Sequence, residues 1–489
     1  MDAVAVVSEG AVRGASASGI ACFRGIPFAA APEGPLRFRP PAPVAGWDGV
    51  RDATAFGTAP PQVSPAPGAA AAWRAGDGLD CLTVNVWTPD LGGAGLPVMV
   101  WIYGGGFKHG SAGRPDFDAT QLAAAGVVVV TFNYRFGFEG FGHLTGVPDN
   151  RGLRDQIAAL EWVQRNIGAF GGDPAEVTVF GQSAGAASAA LLLASPAARG
   201  LFRRAIAQSV PDAFLPTAQA ERVTAVLAAE AGVAATWEGF AALPPEAILH
   251  VQDTPLQGRP QAGFSAFGPV IDGELVTGPP WEVIRRGAGN EVDLICGFTH
   301  DEARWYTAAM DVDAIPLTAV ADSLRLPVSV VADYRSAYPD STDAELVTVL
   351  LSDALFRMPT TRVAEAHARA GGRTWLYDLT WPSPRLGAGH ILDVPLVFGN
   401  ATSPLATRFL GTPPPADFLT LSQTMRAAWT SFARDGDPGW PRFDLANRTT
   451  GCGTAPPPMS RTRWSGPAGS GKASSGGGSS ADQHSLQQE

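Results

Sequence analysis

The sequence predicts an α/β protein with a large, mostly parallel central sheet flanked by helices, and three observations carry that prediction. Short β-rich runs stop abruptly at Gly, Pro or polar clusters: LTVNVWTP (82–89), LPVMVWIYGG (96–105), GVVVVTFNYR (126–135), EVTVFGQS (176–183), DLICGFTHDE (293–302) and TWLYDLTW (374–381). Segments of helical period lie between them. Most of the runs are near-continuously apolar, the pattern of strands covered by helices on both faces.

The clearest helix is LRDQIAALEWVQRNIGAF (153–170), where Ile157, Leu160, Val163 and Ile167 fall on one face and leave Arg154, Gln164 and Arg165 for solvent. In such a sheet the functional loops gather at the carboxyl ends of the strands. Pro-rich patches at 40–43, 59–67 and 412–415 read as loops within a domain. The composition breaks only near residue 465, where SGPAGSGKASSGGGSSADQHSLQQE (465–489) has too few large apolar side chains to offset the entropy of ordering. Residues 1–464 are therefore expected to form the folded domain and 465–489 a disordered tail.

With 489 residues, 45 % hydrophobic and 17 % charged, the chain has the balance of a globular protein. A net charge of −11 argues against a nucleic-acid partner, which demands clustered Lys and Arg. No apolar run reaches the roughly 18 residues of a membrane span. The start, MDAVAVVSEGAVRG, lacks the features of a signal peptide, so a cytoplasmic location is expected. Cys22, Cys81, Cys296 and Cys452 are widely spaced and form no CxxC, which suggests neither a zinc site nor a disulfide framework. Oligomeric state is not readable.

The stretch VTVFGQSAGAAS (177–188) carries the chemistry. A strand runs into Gly181-Gln182-Ser183-Ala184-Gly185, and a helix follows. A G-x-S-x-G turn of that kind lifts the serine hydroxyl to the top of the sheet, and small neighbours are needed because strand and helix pass so close. Ala184 then sits at a helix N-terminus, where a free N–H favours an anion. The strand VMVWIYGGGF (98–107) ends in Gly104, Gly105 and Gly106, whose amides face a developing oxyanion without side-chain obstruction.

A serine of ordinary acidity needs an imidazole to take its proton and a carboxylate to hold that imidazole. The expected chain order is Ser, acid, His. His109 and His143 precede the serine, His484 lies in the tail, and His250 and His367 fall in helix-like stretches where a surface role is expected. His300 and His390 remain; His300 sits beside Asp301 and Glu302, and one loop does not easily supply both base and acid, so His390, in the Gly-bounded loop RLGAGHILDVPLVFG (385–399), is the candidate base. The loop CGFTHDEARWY (296–306) supplies the acid, and spacing alone does not separate Asp301 from Glu302.

Beyond these residues the chain resembles the type-B carboxylesterases of the α/β-hydrolase superfamily. The likeness runs through FRGIPFAAAPEGPLRFRPP (23–41), DCLTVNVW (80–87), WIYGGGF (101–107), NYRFGFEGF (133–141), the long block 150–188, FGPVIDGEL (267–275), GFTHDEA (297–303) and GAGHILDVPLVFG (387–399). It implies an esterase with Ser183, Glu302 and His390 as the triad and the amides of Gly105, Gly106 and Ala184 as the oxyanion hole. It further implies a small-molecule ester substrate and no cofactor or metal. By the same resemblance Ser209 supports the triad acid through a hydrogen bond, and Arg135 and Asp155 form a structural ion pair.

Several positions depart from the family pattern. Leu79 stands where an acid is usual, so an ion pair reaching Arg37 is expected to be missing and the loop between 58 and 80 looser. Cys81 lacks the partner that secreted relatives provide. Gln182 replaces a common glutamate before the nucleophile, and Trp73 is out of register with the tryptophan that binds quaternary ammonium in cholinesterases. Phe107, Phe214 and Phe398 read as packing residues before pocket walls. Amide, carbamate or lactone hydrolysis shares every motif, and a non-catalytic binding protein of the same fold is the remaining alternative.

Overall fold

The computed structural model describes residues 2–63, 72–252, 266–447 and 451–452. The predicted tail at 465–489 lies outside the described residues. The strands, in chain order, are β1 (Asp2–Val7), β2 (Gly10–Ala17), β3 (Ile20–Pro27), β4 (Val50–Asp52), β5 (Thr83–Thr88), β6 (Leu96–Ile102), β7 (Val128–Phe132), β8 (Gly172–Gln182), β9 (Arg204–Gln208), β10 (Leu215–Pro216), β11 (Val270–Ile271), β12 (Asp293–Thr299), β13 (Thr374–Leu379) and β14 (Gly451–Cys452).

Twelve of them form one sheet in the order β1-β2-β3-β5-β7-β6-β8-β9-β12-β13-β14, with β4 beside β2. From β7 to β14 every neighbouring pair is parallel. The β1-β2-β3-β5-β7 flank is antiparallel. β5, β7, β9, β12 and β13 are buried along their whole length, as expected of strands with helices on both faces. At the far edge β1 alternates instead: Ala3, Ala5 and Val7 point inward, while Val4 and Val6 are 50 % and 71 % exposed.

The helix Arg151–Asn166 buries Ile157, Leu160 and Val163 against the sheet and leaves Arg165 in solvent. Its Asp155 reaches Arg135 in the loop after β7, with Nη2 to Oδ1 at 2.7 Å, Nε to Oδ2 at 2.8 Å and the Arg135 amide to Oδ2 at 3.0 Å. Both groups are buried, and the remaining guanidinium nitrogen donates to the Arg39 carbonyl at 2.8 Å. The pair pins the chain that leaves β7 to the helix beneath the site.

Two expectations are corrected here. His367 is not at the surface. The face of helix Met358–Arg369 that carries it packs on the sheet, with Nδ1 2.8 Å from Thr374 Oγ1 and Nε2 3.2 Å from the Gly289 carbonyl. Burial lowers its pKa below the ordinary 6.5, so the ring stays neutral. Arg37 is not left unpaired by Leu79, because the Glu139 carboxylate meets it at 2.5 Å and the carbonyls of Ala241 and Leu243 take its other nitrogen. Leu79 itself is buried and its amide donates to Glu33 at 2.9 Å; part of the 58–80 loop lies outside the described residues. Trp73 is buried beside Ala59 and Leu249 with its indole N–H on the Gly78 carbonyl. Cys22, Cys81 and Cys296 are free thiols, and among the described residues no helix is long and apolar enough to cross a membrane.

Substituting Asp155→Ala strands the Arg135 guanidinium in the interior, and we expect it to cost about 3–5 kcal/mol of stability. Urea unfolding of the two proteins measures this. A cost below about 1 kcal/mol would mean that the Arg39 carbonyl alone satisfies the cation.

Candidate active site

Five neighbouring strands deliver the site. β6 ends before Gly104–Gly106, β8 at Ser183, β9 at Ser209, β12 just before Glu302, and β13 leads into the loop with His390. Parallel strands place all these ends on one side of the sheet.

Ser183 has φ 57° and ψ −123°, a conformation that L residues adopt only under strain. The turn is held by its amide, which donates to the Gln208 carbonyl at 2.8 Å, and by close backbone contact on every side. A Cβ on Gly185 would lie 1.9 Å from the Ile102 carbonyl oxygen, and one on Gly181 2.5 Å from that of Gly185. Ser183 remains half-buried while its neighbours are fully enclosed.

Gly104 packs directly against the serine, since a Cβ there would meet Ser183 Cβ at 2.9 Å. Gly105 has φ 123° and Gly106 φ 62°, which turns the chain after β6 past Ser183. Among the described residues the amides of Gly105, Gly106 and Ala184 donate to no protein acceptor, and Ala184 opens the helix Ala184–Ala194.

The Glu302 carboxylate is fully buried. Its Oε2 lies 2.5 Å from His390 Nδ1, and its Oε1 accepts the Thr299 amide at 2.9 Å. The backbones join as well, His390 N–H donating to the Glu302 carbonyl at 3.1 Å and Asp301 N–H to Ala388 at 2.9 Å. The other acid of the loop turns away: Asp301 Oδ2 is 3.5 Å from Arg304 Nε. His300 turns away too, with Nδ1 3.0 Å from Asp378, and that hydrogen bond raises its pKa above the usual 6.5.

Gln182 reaches His390 across the gap, its Nε2 lying 3.1 Å from imidazole Nε2. In a neutral ring whose Nδ1 donates to Glu302, Nε2 is left as the acceptor for the Gln182 amide. Ser209 does not support Glu302 as expected. Its buried Oγ has no partner among the described residues, and the Glu302 oxygen left free by His390 is taken by the Thr299 amide. Phe107, Phe214 and Phe398 pack against Phe141, Trp281 and Trp101 at 4.8, 5.6 and 5.1 Å between ring centroids.

Two neighbours of the pair went unread in the sequence. Asp393, fully buried at the start of the helix Asp393–Phe398 that follows His390, accepts the Tyr377 hydroxyl at 2.8 Å; burial, reinforced by the Glu302 carboxylate, pushes its pKa up to about 6. Phe356 stacks on the His390 ring at 4.1 Å. The first has a signal only in lying three residues from His390 in one loop, the second only in Pro359, which interrupts a helical pattern three residues on. Among the described residues no group of His, Cys, Asp or Glu is arranged to hold a metal ion.

The doubly covered sheet with a strained serine at a strand-to-helix turn is that of the α/β-hydrolase fold. The chain belongs to the carboxylesterase family, whose model matches residues 1–451, and it is a carboxylic-ester hydrolase. It is 35 % identical over 463 residues to the para-nitrobenzyl esterase of Bacillus subtilis (strain 168), covering 91 % of this chain and 94 % of that enzyme. It is 36 % identical over 472 residues to the fumonisin B1 esterase of Sphingopyxis macrogoltabida, covering 89 % and 84 %. The crystal structure of the Geobacillus stearothermophilus carboxylesterase EST55 at pH 6.2 superposes with a TM-score of 0.83 at 33 % identity, covering 92 % of this chain and 96 % of that one.

Gln182→Glu places a carboxylate beside imidazole Nε2 and so favours the imidazolium. Less neutral imidazole is then left at acid pH. We expect the acid limb of kcat/KM to move to higher pH by about one unit, measured on a short-chain ester between pH 5 and 9. An unmoved limb would mean that residue 182 does not face the imidazole in solution.

Proposed function

We propose that the protein hydrolyses small carboxylic esters through an acyl-enzyme on Ser183, with His390 as general base and acid and Glu302 as its orienting carboxylate. The observation that carries the reading is the buried 2.5 Å contact between Glu302 and His390 Nδ1, set at the strand ends beside the strained serine turn. In the neutral ring that contact takes the proton on Nδ1 and makes Nε2 the acceptor.

Ser183 Oγ attacks the ester carbonyl as its proton passes to His390 Nε2, which the Gln182 amide yields as the hydroxyl approaches. The imidazolium is stabilised by Glu302, which stays ionised. The carbonyl oxygen, now negative, is held by the amides of Gly105, Gly106 and Ala184; each such donor is worth about 3–4 kcal/mol in the transition state. The C–O bond to the alcohol breaks as His390 gives that oxygen its proton. Water then repeats the sequence on the acyl-enzyme: His390 takes its proton, the tetrahedral adduct collapses, and Ser183 leaves with the proton returned. Every step uses side chains and amides of this chain.

Support comes from the free amides, from the serine's exposure relative to its buried neighbours, and from relatives whose names describe esterases. The test is turnover of p-nitrophenyl acetate. We expect Ser183→Ala and His390→Ala to lose about 10⁴–10⁶ in kcat, and Glu302→Gln about 10⁴. A fluorophosphonate should label wild type and not Ser183→Ala. Less than tenfold loss in Ser183→Ala would sink this reading, and faster cleavage of a matched anilide than of the ester would reassign the substrate class.

A further inference from the structure

Two helices, Asp343–Ser352 and Met358–Arg369, run into one another through a single π-helical turn, Asp353–Arg357. Its cause is local. Pro359 has no N–H to return to the Leu355 carbonyl, and the ladder widens so that Met358 donates to Asp353 five residues back. Such turns give up regular hydrogen bonding and collect at functional sites.

The turn grips the acid and base of the site at once. Ser352 Oγ accepts the Ala303 amide at 2.9 Å, on one side of Glu302. On the other side Arg357 Nη1 donates to the His300 carbonyl at 2.9 Å. Arg357 is itself fixed by the buried Asp353 at 2.5 Å, whose second oxygen takes the Tyr334 hydroxyl at 2.7 Å. Between these anchors the buried Phe356 lays its ring on His390, with centroids 4.1 Å apart and planes 29° from parallel. Tyr306 backs both rings, 6.3 Å from Phe356 and 5.9 Å from His390.

We propose that this π turn is the positioning element for the acid–base half of the site, and that Phe356 is the positioning residue that fixes the plane of the His390 ring and favours its cationic form. The inference rests on the reading of Ser183, His390 and Glu302 given above. An aromatic face carries partial negative charge and attracts a cation most strongly where water is excluded. On the reaction path the cation forms when His390 takes the serine's proton, so the ring lowers the barrier as well as holding the geometry. The other groups facing the imidazole are the Glu302 and Asp393 carboxylates, the Gln182 amide and the Tyr306 phenol, which burial keeps protonated. All four stay in place when only residue 356 is changed.

The experiment compares wild type, Phe356→Leu, Phe356→Tyr and His390→Ala by kcat, KM and the pH profile of kcat/KM on p-nitrophenyl acetate, with thermal midpoints alongside. Loss of the ring makes the imidazolium harder to form, so neutral base persists to lower pH. We expect Phe356→Leu to lose about tenfold in kcat with KM within about twofold, and its acid limb to shift down by about 0.5–1 pH unit. Phe356→Tyr, which keeps the ring, should keep the limb of wild type. Phe356→Met, with similar volume and no ring, carries the test if the leucine variant does not fold. Wild-type kcat and an unmoved limb in the ringless variants, with His390→Ala inactive, overturn the positioning role alone. Full activity in His390→Ala overturns the reading beneath it.

Discussion

No side-chain atom fits between the end of β8, the helix behind it and the end of β6. Gly185 touches the Ile102 carbonyl and Gly181 touches Gly185 so closely that a methyl at either would overlap backbone. This crowding is the constraint on which the site depends. It forces Ser183 into positive φ and leaves its side chain the one direction that is open, toward the strand ends. The same approach sets Gly104 against Ser183 Cβ, so that the serine and the Gly-rich loop are spaced by backbone contact rather than by adjustable side chains.

Around that rigid corner the remaining chemistry is borrowed from the far half of the sheet. β12 and β13 are hydrogen-bonded neighbours in register, Thr299 opposite Leu379, which makes the loops carrying Glu302 and His390 adjacent before any side chain is placed. Two backbone hydrogen bonds between the loops then fix the separation, and the carboxylate needs only to complete it. A buried acid so close to an imidazole is costly to desolvate. The Thr299 amide offsets part of that cost by saturating the second oxygen.

How much of this was legible in the sequence depends on whether the signal is local. The strands, the glycine spacing about Ser183 and the face of helix Arg151–Asn166 are local patterns, and the structure has them where the residues place them. The choice between Asp301 and Glu302 was not local: both are carboxylates in one loop, and only the path of the chain sends one to His390 and the other to Arg304. His367 misled because a histidine in a polar helical stretch looks exposed, whereas its neutral ring satisfies both nitrogens in the interior. Arg37 misled in the opposite way. Its partner Glu139 lies a hundred residues away in sequence, and the loss of one acid nearby says nothing about a remote one. The π turn was hidden because a proline in a helix can kink it, end it or widen it, and packing decides which.

The parallel arrangement of β9, β12 and β13 has one more consequence. The outermost of them sits next to β14, whose two residues pair with Tyr377 and Asp378 near the margin of the sheet. Strands at a margin open more readily than those at the centre. Fraying there would carry His390 off while the serine corner, deep in the middle, kept its shape. On the proposed role of His390 as the base, the molecule would go silent before it melted, and its turnover would serve as a gauge of the integrity of that margin.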